Sequence, residues 1–230
     1  LLEHAVAATR AAGDDRLLAP ALFSLALATP VDRGAGAVRD LLTESVALAR
    51  ANDDRWALAL ALIPLGDLAL LDGDVAAARS MHEEVLALAE ATGDDHMRAQ
   101  AHDQLGLDAL LAGDLDDAGE QLRRAAELHR ELRDHEGIAY CLEGFAALSL
   151  ARGDAPRAAR LMGTAAAARR LVGVAVWPFM QPLHERLETF ARTALGDAYD
   201  PAFAAGLQEE PLDALDAAAH HPPALSEGTS

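Results

Sequence analysis

The chain has 230 residues and a formal net charge of -18, from 19 basic residues, all arginine, against 37 carboxylates. The absence of lysine excludes P-loop, Schiff-base and Ser-x-x-Lys chemistry, and the negative balance argues against a phosphate backbone as ligand, so no direct nucleic-acid contact is expected. One cysteine, Cys141, rules out an internal disulfide and fits a reducing compartment. The most apolar stretch, Trp56 to Leu71, is broken by Pro64 and Asp67, so it falls short of a membrane span. No membrane contact and a cytoplasmic location are the expectation.

Alanine and leucine dominate, and runs of β-branched and aromatic residues with period 2 are absent, so the reading is all-α. Leu1 to Ala12 is one amphipathic helix ending in the turn Gly13-Asp14-Asp15. It corresponds to the second helix of a repeat whose first helix is missing, which reads as a fragment of a longer protein and predicts self-association through this N-terminal half repeat. The first full unit, 16–52, has helices over Leu17 to Thr29 and Val38 to Ala51, joined by an irregular turn containing Pro30, Gly34 and Gly36. Further units follow over 53–93, 94–133 and 134–172. Gly-Asp recurs at Gly73-Asp74, Gly113-Asp114 and Gly153-Asp154, each 40 residues on, and Asp74, Asp114 and Asp154 sit where helix N-caps are wanted. Pro156 falls in the first turn of its helix, where proline does little harm. Beyond Val172 the period breaks. Gly173, Trp177 and Pro178 introduce helices over Phe179 to Leu195 and Pro201 to Leu207, with a turn or two more in Pro211 to His220. Residues 173–220 are therefore expected to cap the array, with Trp177, Phe179, Phe190 and Phe203 on the apolar side, and 221–230 to form a flexible tail.

The layout before each Gly-Asp is also shared: Leu65-Gly66, Leu105-Gly106 and Phe145-Ala146, then Leu70, Leu110 and Leu150, with Ala78, Ala118 and Ala158 following. Glycine inside a helix costs about 1 kcal/mol relative to alanine, so Gly66 and Gly106 predict close approach of a neighbouring helix. This pattern resembles the tetratricopeptide helix-turn-helix repeat. The resemblance implies an α-α superhelix, or solenoid, of about four 40-residue units over 1–172 with a C-terminal capping segment.

A second resemblance lies in Ala158-Ala159-Arg160-Leu161-Met162-Gly163-Thr164-Ala165, Gly173, Trp177-Pro178, Leu183, Glu185-Arg186, Ala194-Leu195-Gly196 and Phe203-Ala204-Ala205-Gly206. These residues are similar to the C-terminal end of large actinobacterial signal-transduction ATPases, in which a nucleotide-binding module precedes tetratricopeptide repeats alongside LuxR-type or antibiotic-regulatory DNA-binding domains. The likeness implies the sensor and interaction arm of a transcriptional regulator, with the ATPase upstream. The chain itself has no GxxxxGK[ST] loop and no recognisable helix-turn-helix reader.

His82, His96, His102, His129, His135 and His184 never fall at the i, i+3 or i+4 spacing of a helical metal pair, so they read as solvated or partly buried, and neither metal nor cofactor is expected. Cys141 reads as a small core residue, and Asp114, Asp116 and Asp117 as a cap and a solvated face. No enzymatic activity is expected. The resemblance implies that the first helix of each unit lines a concave groove, and alignment puts Phe23, Leu60, Ile63, Asp67, Gln100, Asp103, Leu107, Tyr140 and Glu143 there. Such a mixed strip suits an amphipathic or basic peptide, or another domain of the parent chain. The alternative readings are a groove that closes over a small-molecule effector, and apolar members that simply pack against adjacent units.

Overall fold

The computed structural model describes residues 1–29 and 34–220, and among them the regular structure is helical throughout. Pro30 of the irregular turn and the tail from His221 onward lie outside the described residues. The helices are α1 (Leu2–Ala12), α2 (Asp15–Leu27), α3 (Gly34–Ala51), α4 (Arg55–Leu71), α5 (Val75–Thr92), α6 (Asp95–Ala112), α7 (Leu115–Leu132), α8 (His135–Ala151), α9 (Ala155–Val172), α10 (Gln181–Leu195), α11 (Tyr199–Gly206) and α12 (Pro211–Ala219). A 3-10 turn, Pro178–Met180, precedes α10. None of these helices is long and apolar enough to cross a membrane.

A 20-residue rhythm, half the repeat, sets the helix starts. Asp14, Asp54, Asp74, Asp94, Asp114, Asp134 and Asp154 each accept a hydrogen bond from the backbone amide three residues on, at 3.0–3.1 Å. A cap of this kind contributes about 1 kcal/mol by satisfying an amide the helix cannot. The stops share this rhythm: Gly13, Asp53, Gly93, Arg133 and Gly173 take the left-handed conformation, with φ between 52° and 71°, and Gly73, Gly113 and Gly153 between them have φ of 83–85°. Asp53 and Arg133 hold it without glycine's freedom, which shows how strongly the helix-end geometry is imposed.

The chain divides into two compact units, one of residues 1–108 and 176–183, the other of residues 109–175 and from 184 onward. The division falls inside α6 rather than at a repeat boundary, and 176–183 goes with the first unit instead of staying with the capping segment. In the first unit α1 packs on α2, α2 on α3, α3 on α4 and α4 on α5. Leu22, Leu42, Leu62, Leu68 and Val85 are buried in its interior, and Trp177 and Met180 pack against the core. The second unit packs α7 on α8 and α8 on α9, around Leu122, Ile138, Leu142, Phe145 and Met162. Cys141 lies in this core, fully buried, as its sequence context indicates.

Helix α11 packs on α9, and α12 packs on α7, α8 and α9. Phe203 packs against the core as expected, but Phe190 is 54% exposed and contributes no apolar cap. The reason is its place on α10, whose buried residue is Ala191. Helix α11 crosses α9 with Gly163 and Gly206 at the contact. A Cβ on Gly163 would strike the Phe203 carbonyl oxygen, and one on Gly206 the Arg160 carbonyl oxygen, while Thr164 Oγ1 donates to the Gly206 carbonyl at 3.0 Å. Because the obstacle is backbone on both sides, no rotamer relieves it. Gly206→Ala is expected to lower stability by about 3 kcal/mol, the upper end for overpacking, in denaturant unfolding followed by circular dichroism. An unchanged midpoint would show that the crossing tolerates a methyl group.

Candidate functional site

Helix α4 is buried from Ala57 to Leu70 except for half-buried Leu60, and in the middle of this apolar stretch stands Asp67, with no exposed surface. On α5, His82 is fully buried, and its Nδ1 lies 2.8 Å from Oδ2 of Asp108 on α6, a residue also without exposed surface. The other ring nitrogen, Nε2, lies 3.3 Å from the Ile63 carbonyl oxygen. Both ring nitrogens thus face acceptors, an arrangement that a doubly protonated imidazolium satisfies on both sides. Room for the ring comes from Gly66, where a Cβ would fall inside the imidazole. The clearance predicted for a neighbouring helix is used by a side chain of that helix.

Both carboxylate oxygens of Asp67 and Oδ1 of Asp108 are buried without a hydrogen-bond partner. Burial pushes the Asp67 carboxyl up to about 7, with Asp108 adding to the rise and His82 working against it. For His82, burial favours the neutral ring, but the hydrogen bond to Asp108 and the charges of Asp67 and Asp108 outweigh it and hold the imidazole above its ordinary value. Asp67 and His82 are thus both shifted toward their protonated forms inside the first unit.

A second ionisable cluster occupies the second unit. Glu143 on α8 and Arg169 on α9 form a two-bond pair, one bond between Nη1 and Oε1 and the other from Nη2 to Oε2 at 2.7 Å. Nδ1 of His184 on α10 lies 3.0 Å from the same Glu143 Oε1. The Arg169 guanidinium sits 4.9 Å from the centre of the Tyr140 ring, so the cation is held between a carboxylate and an aromatic face. Burial raises the Glu143 carboxyl, but His184 and Arg169 outweigh that and keep it below the ordinary carboxylate range. The Glu143 carboxylate beside its Nδ1 holds His184 above its usual value.

The nine residues aligned on the strip divide between the units. Phe23 and Leu60 are half-buried against the first core, Gln100 and Asp103 are half-buried on α6, and Leu107 packs on Ala69, Leu70 and Ala78. Two members are interior rather than groove residues: Ile63 is 4% exposed and Asp67 is 0%. Tyr140 and Glu143 belong to the second unit, where Glu143 is committed to Arg169 and His184 instead of offering an open anchor. The histidines also differ from a solvated or partly buried set, since His82 and His129 have no exposed surface and His102 is 6% exposed. Spacing within one helix missed His82, Asp108, Arg169 and His184. The 40-residue register carries a signal for the first two: His82 stands where other units have Leu42, Leu122 and Met162, and Asp108 where they have Leu68 and Leu148. All five of those counterparts are buried apolar residues.

Among the described residues no group of three His, Cys, Asp or Glu could hold a metal ion. No protein-family model matches the chain, and no curated protein does.

Proposed function

We propose that the chain is a non-catalytic, tetratricopeptide-like interaction module of a regulatory protein, taking a basic, amphipathic segment of a partner or of a neighbouring domain. The observation that supports this reading is the Asp-capped 20-residue rhythm, which gives successive first helices α2, α4 and α6 the same register: half-buried Leu60 and Gln100 share one position, and half-buried Phe23 and Asp103 share another, whose counterpart in α4 is the buried Ile63. Repeated helices with partly open, mixed apolar and polar positions suit helix or extended-peptide recognition. The charge of -18 selects arginine-bearing ligands from this class, because guanidinium groups match carboxylates in geometry as well as sign.

Fluorescence anisotropy with a labelled arginine-bearing amphipathic peptide tests the reading. Binding is expected at low salt, weakening toward physiological salt, and absent for the peptide with glutamate in place of arginine. Asp103→Asn should weaken binding by about threefold, within the range for one partly exposed charge pair. Equal binding of both peptides would remove charge as the selecting force.

The second reading, an effector-sensing domain, draws support from the buried Asp67, His82 and Asp108. Ionisable groups at apolar register positions lower the stability of a core and so make its conformation easier to shift.

A further inference from the structure

We propose that the surface of α7, α8 and α9 in the second unit is a helix-binding groove occupied at rest by α12, and that it accepts a partner's amphipathic helix bearing a leucine-alanine stripe and a carboxylate. This involves the second unit alone and stands apart from the reading given for α2, α4 and α6.

Helix α12 lies against α7, α8 and α9. It buries Pro211, Ala214, Leu215 and Ala218, the i, i+3, i+4, i+7 stripe of a helix seated in a groove. At its far end Arg157 Nη2 approaches the carbonyl oxygens of Ala217 and Ala218 at 3.4 and 3.3 Å, acceptors that any helix leaves open in its last turn. Arg130 lies 3.8 Å from Asp216. The groove therefore recognises an apolar stripe, a helix C-terminus and one acid, and none of these is peculiar to α12. A foreign helix can present all three.

The resident helix is a weak occupant. Nine residues are fewer than an isolated helix needs, its N-terminus has no side-chain cap, and three of its four stripe residues are proline or alanine. Helix α11 covers α9 through the Gly163 and Gly206 crossing, whereas α12 is the C-terminal helix seated on α7 and α8, so lifting it opens that surface and leaves the α9 crossing in place. Tethering through the short segment after α11 is what keeps so modest a stripe in place.

The test combines hydrogen exchange on the full chain with anisotropy of a labelled synthetic peptide of residues 209–219. In the unmodified chain, amides of α12 are expected to exchange at least roughly tenfold faster than those of α8 and α9. Leu215→Glu should unseat the tethered helix and let the free peptide bind at least roughly tenfold tighter than to the unmodified chain, while a peptide with its stripe scrambled does not bind. Protection of α12 equal to that of α8 overturns the proposal, and this measurement decides alone if Leu215→Glu fails to fold. So does a folded Leu215→Glu chain that binds neither peptide, or both equally. A concentration-dependent dimer of the unmodified chain that Leu215→Glu abolishes would assign the groove to a second copy instead.

Discussion

Asp67→Asn is expected to stabilise the first unit at neutral pH and to remove most of its loss of stability between mild acid and pH 7. The unfolded carboxyl titrates at 3.8 and the folded one at about 7, so across that window the native state holds a proton that the unfolded state has released. The Asp67 contribution to stability therefore falls as pH rises from 3.8 to about 7 and is level above, opposite in sign to the usual salt-bridged aspartate. The difference corresponds to on the order of 4 kcal/mol, which sets the ceiling on the gain at neutral pH. Asparagine keeps the shape of the protonated acid and has no charge to bury. His82 acts in the same direction: with its folded value raised above 6.5, its contribution is complete below that pH and is lost as pH rises through the folded value. Denaturant midpoints of both chains across pH, read with hydrogen exchange in α4 and α5, check this. Parallel profiles would show that Asp67 is not the source of the slope.

The converse holds at Glu143, where substitution leaves a buried charge without its partner. In Glu143→Gln the Arg169 side chain, 8% exposed, loses its carboxylate and keeps its guanidinium, and the loss is expected to be about 3 kcal/mol. Glu143→Leu combined with Arg169→Met should recover most of that, because removing both charges avoids the desolvation penalty as well as the attraction. The pH dependence has two sides. Glu143, held below its ordinary 4.5, contributes stability that is full above that value and lost as pH falls through the folded one. His184, held above 6.5, contributes below that value and loses it as pH rises through the folded one. Unfolding of the double variant should therefore be flatter at both ends of the pH range. A double variant no more stable than Glu143→Gln would contradict the assignment.

Local features were legible in the sequence because their causes are local. An aspartate preceding a helix finds its amide three residues away whatever the tertiary structure, so the caps at Asp74, Asp114 and Asp154 follow from the string alone. Helix ends near the irregular first turn and the C-terminus moved by a few residues: α3 begins at Gly34 rather than Val38, and α10 at Gln181 behind a 3-10 turn rather than at Phe179. The charged clusters were less legible because His82, Asp108 and Asp67 come from three helices, and only a residue-by-residue register against Leu42, Leu68 and Leu107 marks them as substitutions into apolar positions. The division at Asp108 has no sequence signal, since it falls inside a helix, away from any turn or cap.

Native mass spectrometry of the purified chain, alone and with the arginine-bearing peptide, tests the proposed function most directly. The interaction reading predicts the bare protein mass in the first sample and a protein-peptide complex in the second, weakened by added salt. A small molecule retained by the purified chain, with no peptide complex at low salt, would contradict it and favour effector sensing.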